Sequence, residues 1–444
     1  MLRFAVRAAL LAALPMTLAS AQAQPPADGG DAASWDARFQ STYVWQRKSA
    51  MRSPYAGPHS LSAERELSHS FTATAALGWQ PRPGTELWLN PEVAAGVPLS
   101  NLTGLGGFTN GEMARSSGPD PKLYRARLFL RQTLDLGGEA DEVEAGMNQF
   151  ALRTTQRRLS VMAGNFAVTD LFDANAYSHD PRTQFLNWSL VTHGAWDFAA
   201  DARGYTWGAA VEARGGDWAL RAGRFLQPRE PNGQALDRRI GVHYGDQIEL
   251  QHEHEWAGQP GALRLLAFRN RARMARYEDA LALSAATGSV ADLNAVRDGE
   301  RIKHGWGLAL EQQLHPDLGF FARASASDGA TETYAFTEID RSLSAGLLLR
   351  GSAWNRGQDT LGLALARNGL SGPHRAYLAA GGLGFFLGDG QLRYGAERVV
   401  EAFYNLQLMP QATLGLDWQH IANPGYNADR GPARFIGLRL HLEL

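Results

Sequence analysis

The end of the chain limits its fold more than any other stretch. Across residues 433–444, Leu438, Leu440, Leu442 and Leu444 alternate with Gly437, Arg439, His441 and Glu443. Side chains of a strand point to opposite faces in turn, so this ribbon has one apolar and one polar face. The sequence stops on an apolar strand residue, the ending expected where a last strand closes a cylinder against the first. A transmembrane β-barrel is the fold to test against the rest.

The N-terminus and composition agree with that reading. Arg3 and Arg7 precede an apolar stretch at 8–18, and Ala21-Gln22-Ala23 supplies small residues for cleavage. Residues 1–23 are therefore expected to be a signal peptide, with 24–444 a single outer-membrane barrel domain. The apolar stretch is too short to cross a bilayer as an anchor. Losing Arg3 and Arg7 takes the formal charge from -2 to -4, which gives no bias towards nucleic acid. There are no cysteines, so neither a disulfide framework nor a thiolate metal site is available. Beyond the leader no apolar run approaches the ~20 residues of a helical span. The 48 glycines and negative mean hydropathy suit a barrel in which only alternate residues meet lipid.

Alternating segments recur at 35–47, 70–81, 85–96, 122–136, 159–168, 206–214, 218–228, 245–256, 261–274, 303–314, 318–329, 341–352, 359–369, 391–408, 412–423 and 433–444. Sixteen is an even number, as an antiparallel up-and-down barrel with both termini on one side requires. Short links carry turn residues, such as Arg82-Pro83-Gly84, Gly215-Gly216-Asp217 and His315-Pro316-Asp317. Long links at 48–69, 97–121, 169–205, 229–244, 275–302, 330–340, 370–390 and 424–432 alternate with them, as extracellular loops alternate with periplasmic turns. One link breaks the pattern. Residues 137–158 should form a short turn but span 22 residues, which implies a periplasmic insertion or a miscounted strand. Residues 194–200 resemble a strand but would make the count odd, and 277–297 has helical character, which suits either a helix in an extracellular loop or a loop of mixed conformation.

Alternation also assigns the faces. A charge near the midplane of the lipid face costs ~2–4 kcal/mol, so Arg125, Arg127 and Arg131 are expected to face inward. The same rule turns Glu86, Trp88, Asn90 and Glu92 inward, with Arg38, Gln40, Thr42, Gln46, Thr413, Asp417 and Gln419. Arg323, Arg350, Glu401, Asn405, Arg439 and His441 follow. So many inward charges cannot be packed dry, and no plug-sized segment is evident, so a water-filled lumen is expected. In it, the guanidiniums of Arg125, Arg127 and Arg131 would stand beside Trp88, Asn90 and Glu92. Donors, acceptors and an aromatic face together could replace the hydration of a neutral polyhydroxylated solute. Alternatively, the charges only keep the lumen wet.

Several stretches, in order, resemble the carbohydrate-selective porin family (OprB type) of Gram-negative outer membranes. They are 42–46 (TYVWQ), 53–61 (SPYAGPHSL), 89–93 (LNPEV), 104–112 (GLGGFTNGE), 124–132 (YRARLFLRQ), 173–185 (DANAYSHDPRTQF) and 423–427 (NPGYN). The resemblance covers nearly all of the chain beyond the leader. It implies a sixteen-stranded barrel and diffusion of monosaccharide-sized sugars, such as glucose, through an arginine-bearing constriction. The matching positions are Asn90, Glu92, Arg125 and Arg127 on strands, and Asp180 and Arg182 on an inward-folding loop. Two positions depart from the pattern: the chain ends in Leu444 in place of an aromatic, and His59 stands where Asn is expected.

The expected function is thus passive carbohydrate diffusion across the outer membrane of a Gram-negative bacterium. The expected partners are carbohydrate solutes, outer-membrane lipid and the barrel-assembly machinery, with no cofactor and no nucleic acid. Monomer and homotrimer both remain open. The alternatives are a general-diffusion porin or an outer-membrane barrel enzyme, which would need a nucleophile paired with a histidine near the rim. In His252-Glu253-His254-Glu255 a strand separates the histidines from the glutamates, so the four cannot converge on a metal. The loop run Asp173, Asn175, His179 and Asp180 could suit calcium through its oxygens, though loop hydrogen bonding accounts for it as well. The 104–107 glycines lack the Lys-Ser/Thr of a phosphate loop.

Overall fold

The structure is a computed structural model and describes residues 34–444 apart from 117 and 336. The expected signal peptide lies outside the described residues. In chain order the strands are β1 (Ser34–Lys48), β2 (Glu66–Arg82), β3 (Thr85–Val97), β4 (Lys122–Asp135), β5 (Ala140–Val143), β6 (Leu152–Thr155) and β7 (Arg158–Phe166). They continue as β8 (Thr206–Gly215), β9 (Trp218–Leu226), β10 (Tyr244–Trp256), β11 (Gln259–Arg273), β12 (Glu300–His315) and β13 (Leu318–Ser327). The last five are β14 (Arg341–Gly351), β15 (Arg356–Gly369), β16 (Glu397–Met409), β17 (Ala412–Ala422) and β18 (Ala433–Glu443). All but β5 and β6 form one closed antiparallel barrel of sixteen strands, each paired with its neighbour in sequence and β1 with β18.

The terminal ribbon closes it. Leu444 exchanges both backbone hydrogen bonds with Phe39, at 2.9 and 2.8 Å, and Leu438 and Leu440 lie on the outer surface. Exposed leucines recur on the outward face of other strands, including Leu89, Leu265, Leu363 and Leu416. This apolar band is what lipid requires and what fixes the register, since a slip by one residue would turn every leucine inward. Tight turns join the strands at the end where the termini lie. Between β10 and β11 the two turn residues, Ala257 and Gly258, both have positive φ, the geometry that matches the twist of a two-residue hairpin.

The anomalous 137–158 link is an insertion, not a missed barrel strand. β5 and β6 pair as a separate hairpin at the mouth on the short-turn side. Past its tip the chain turns into the barrel, where Phe150 packs on Trp88 at 5.0 Å between ring centroids. Arg131 donates to Asn148 O and Gln149 Oε1 at 3.0 and 2.6 Å. The helical stretch in the 275–302 loop is α-helix over Tyr277–Thr287. β16 begins later than expected, because Tyr394 instead bridges to Asn427 and stacks on Tyr426.

The interior departs from the open, water-filled lumen expected. Residues 99–115 and 167–205 fold into the barrel and bury a cluster that includes Phe108, Phe172, Trp188, Trp196 and Phe198 against inward Phe129 and Phe225. The 194–200 stretch that resembles a strand is part of this inserted loop. Many of the inward charges are accommodated because the loops bring backbone and side-chain partners to them.

Candidate functional site

The inserted loop at 167–205 is held by side chains that alternation turns inward. Arg323 on β13 reaches Asp173 at 3.1 Å and donates to Leu190 O and Ser178 O at 2.9 and 2.5 Å. Thr192 Oγ1 donates to the other Asp173 oxygen at 2.7 Å. Glu401 on β16 accepts the amides of Leu186 and Asn187 at 2.5 and 2.9 Å. Arg439 on β18 donates to Pro181 O and Gln184 O at 2.7 and 2.6 Å. Lys303 on β12 sits 3.3 Å from Asp197, which also accepts the Tyr334 and Ala335 amides. The Asn187 side chain caps a short helix, Trp188–Val191. Gly307 leaves room for the His193 ring, since a Cβ there would meet it at 2.7 Å. Burial would raise the Asp173 carboxyl, but Arg323 and His193 outweigh it and hold the group below its ordinary range.

The 99–115 segment is fixed in the same way. Gln46 and Gln419 both donate to Thr109 O, at 2.9 and 2.8 Å, and Thr72 donates to Glu112 at 2.7 Å. The two inserted segments meet each other through Gly111 N to Leu186 O and Trp188 N to Phe108 O.

Near where they meet, four charges gather against the inner wall formed by β2, β3 and β4. Arg182 lies 3.7 Å from Glu92 and 3.4 Å from Glu112, and Arg115 lies 3.9 and 3.5 Å from the same two carboxylates. Thr74, Tyr124 and Tyr205 also donate to Glu92. Arg127 makes a two-pronged pair with Asp170 at 2.7 and 2.6 Å, and its guanidinium lies over the Tyr205 ring at 5.3 Å. Burial would raise Asp170, but Arg127 overcomes it, and the carboxyl stays below its ordinary range. Asp180 behaves alike: Arg182, His441 and Arg115 together outweigh burial and keep it ionised. Burial pushes the Tyr205 phenol up to about 12, so it remains a neutral donor and acceptor.

One property separates this cluster from the loop anchors. Its ion pairs are too long to be hydrogen bonds. Arg182 Nε and Nη2, Arg115 Nη1, Glu112 Oε1 and both amide atoms of Asn90 are buried with no hydrogen-bond partner in the protein. The anchors spend their capacity on the loop backbone, whereas the cluster keeps some unspent.

The expected site residues divide accordingly. Glu92 and Arg182 are in the cluster, Asp180 and Arg127 beside it, and Asn90 one inward position from Glu92 on β3. Trp88 and Arg131 face inward but are engaged lower down, Trp88 with Glu86 at 2.8 Å and Phe150, Arg131 with the hairpin. Arg125 is a correction. It is exposed on the outer face, its guanidinium 5.1 Å from the outward Trp207 ring. A β-bulge causes this: Arg127 pairs with Asn90 and Arg125 with Pro91, leaving Ala126 as the extra residue. Pro91 has no amide hydrogen for the ladder, and the Asn165 side chain takes the Ala126 carbonyl at 2.7 Å. Parity therefore reverses, and Tyr124, not Arg125, points in. Glu112, Arg115, Asp170, Tyr124 and Tyr205 were not anticipated. The density of aromatics in 167–205 was the available signal that this loop packs inside.

A sequence model of the carbohydrate-selective porin, OprB family, matches residues 60–444. Among solved structures, the high-pH structure of Pseudomonas putida OprB is similar, with a TM-score of 0.68 at 18% identity, covering 92% of this chain and 94% of that one. The outer membrane channel DcaP of Acinetobacter baumannii superposes with a TM-score of 0.50 at 7% identity, covering 95% of this chain and 100% of that one. These likenesses are of fold. No curated protein matches by sequence. Family and fold place the chain in a Gram-negative outer membrane and favour a channel over an enzyme. The chain belongs to the carbohydrate-selective porin, OprB family.

Proposed function

We propose that the chain passes neutral monosaccharide-sized sugars, such as glucose, passively, and that Arg115, Arg182, Glu92 and Glu112 are the constriction they cross. The observation that carries this is the unspent hydrogen-bonding capacity of the Arg115 and Arg182 guanidiniums and of Glu112 Oε1, with both guanidiniums held 3.4–3.9 Å from the carboxylates of Glu92 and Glu112. A sugar hydroxyl both donates and accepts, so it can insert between a guanidinium and a carboxylate and satisfy both. Two positive and two negative charges nearly cancel, which gives little attraction to a simple ion and none of the penalty a neutral solute would meet in an apolar neck. Tyr124 and Tyr205 add ring faces for the C–H faces of a pyranose. Asn90, Glu92, Arg127, Asp180 and Arg182 are the positions for which both the family resemblance and this geometry offer support.

Liposome swelling with purified protein tests the reading. Monosaccharides should enter faster than non-sugar solutes of equal size, and Arg182→Gln should reduce that preference several-fold while leaving the folded barrel intact. Equal rates for sugars and size-matched solutes would leave only a general-diffusion porin. An unchanged preference in Arg182→Gln would move the constriction elsewhere.

A further inference from the structure

The outward surface meets lipid and is apolar over most of its height, but charged residues stand on its rim, and in one sector they form a continuous basic row. Six consecutive strands, β14 to β18 and then β1, each carry one basic residue outward near the end from which the long loops rise. These are Arg341, Arg367, Arg398, His420, Arg434 and Arg47. The register puts them at one level. Arg367 is directly opposite Arg398, and His420 opposite Arg434. Arg367 pairs with Leu343, two residues below Arg341, and Arg47 with Ile436, two residues below Arg434. With strands ~4.8 Å apart, the row extends for about 24 Å.

These arginines differ from others on the same rim. Arg224 and Arg269 share Asp246 at 2.7 and 2.8 Å, and Arg271 pairs with Glu300. Among the described residues, none of the five arginine side chains in the row has a carboxylate partner or a hydrogen bond, and Arg47 Nε is buried without one. Four are exposed. Like charges placed opposite each other on a sheet are destabilising, and Arg367 faces Arg398. An external anion removes that cost. Directly below the row lie exposed Leu343, Leu365, Trp418 and Ile436, the top of the apolar band.

We infer that this arc is a docking surface for phosphorylated glycolipids of the outer leaflet. Phosphates would sit between neighbouring guanidiniums, whose planar forks suit phosphate oxygens, with acyl chains on the leucines and tryptophan beneath. The anion is placed where a headgroup phosphate must be, at the boundary between lipid and water. A second copy of the chain docking by this same arc would set arginine against arginine, so the charge favours the lipid.

The test is a binding titration of the purified full-length protein with a diphosphorylated, acylated glucosamine disaccharide and with its dephosphorylated form. The wild type should bind the phosphorylated form roughly tenfold more tightly or better, from several charged contacts of modest individual strength. The triple variant Arg367→Gln, Arg398→Gln, Arg434→Gln should lose that preference while keeping heat-modifiable folding and sugar permeation. Equal binding of both lipids by the wild type overturns the inference even if the variant fails to fold. Displacement by an equal concentration of inorganic phosphate would reduce the arc to an anion patch. A variant that changes oligomeric state with lipid preference intact would assign the arc to a second copy instead.

Discussion

Arg323 and Asp173 fasten the inserted loop to the barrel wall, and replacing Arg323 by Met isolates that attachment. The arginine is buried, and its removal leaves Asp173 in the interior with Thr192 Oγ1 at 2.7 Å but without its cation. Breaking one side of a buried pair costs ~3–5 kcal/mol, because the remaining charge is uncompensated. At ~1.4 kcal/mol per factor of ten, the ratio of docked to undocked loop should fall by about two to three and a half orders of magnitude. The carbonyls of Leu190 and Ser178 also lose their donor, which acts in the same direction. The ladder of β13 with β12 and β14 uses backbone groups and is untouched, so the barrel itself should remain folded. Single-channel recording in planar bilayers should show larger and noisier conductance for Arg323→Met, with loss of sugar-dependent block. Adding Asp173→Asn removes the stranded charge, and the double variant should recover on the order of 2–3 kcal/mol of docking, seen as quieter current. A single variant with wild-type conductance and noise would show that the pair does not hold the loop. A double variant no quieter than the single would show that the stranded carboxylate is not the cause.

Two other outcomes are expected. Arg127→Ala should shift ion selectivity towards cations, because it removes an inward positive charge, whereas Arg125→Ala should change neither selectivity nor sugar flux; reversal potentials in a salt gradient compare the two. Burial, opposed by Asp173, lowers the His193 imidazole to about 4, so docking of the loop favours the neutral ring. Its contribution is full above pH ~6.5 and declines as pH falls towards ~4, by about 3 kcal/mol in all. Current noise should therefore grow through that window in the wild type and much less in His193→Gln.

The wall of the barrel was legible because lipid imposes a large, one-sided penalty. Leu438 and Leu440 could only face out, while Arg127 and Arg439 could only face in, and the strands carrying them are where alternation put them. The same penalty explains why Arg125 misled. It falls from ~2–4 kcal/mol at the midplane to ~0–1 kcal/mol near the interface, and Arg125 lies three residues from the loop end of β4. There the rule had no force, and the local signal that mattered was Pro91 on the neighbouring strand, a residue that marks a bulge or an edge.

The interior was legible only in part, for a different reason. An inward charge is satisfied equally by water, by a loop backbone or by a solute, and alternation cannot distinguish them. Arg323, Glu401 and Arg439 answer to loop backbone and Arg131 to the hairpin, whereas Arg115, Arg182 and Glu112, grouped around Glu92, keep free donors and acceptors. The charges fall on three elements far apart in sequence: Glu92 on β3, Glu112 and Arg115 in one inserted segment, and Arg182 in the other. No spacing rule reaches across that distance. What joins them is the crossing of the two inserted segments at Gly111 and Trp188, and an inward-packing loop is announced by its buried aromatics, not by its charges. In a barrel of this kind the apolar content of the loops therefore says more about where the constriction lies than the charges of the strands do.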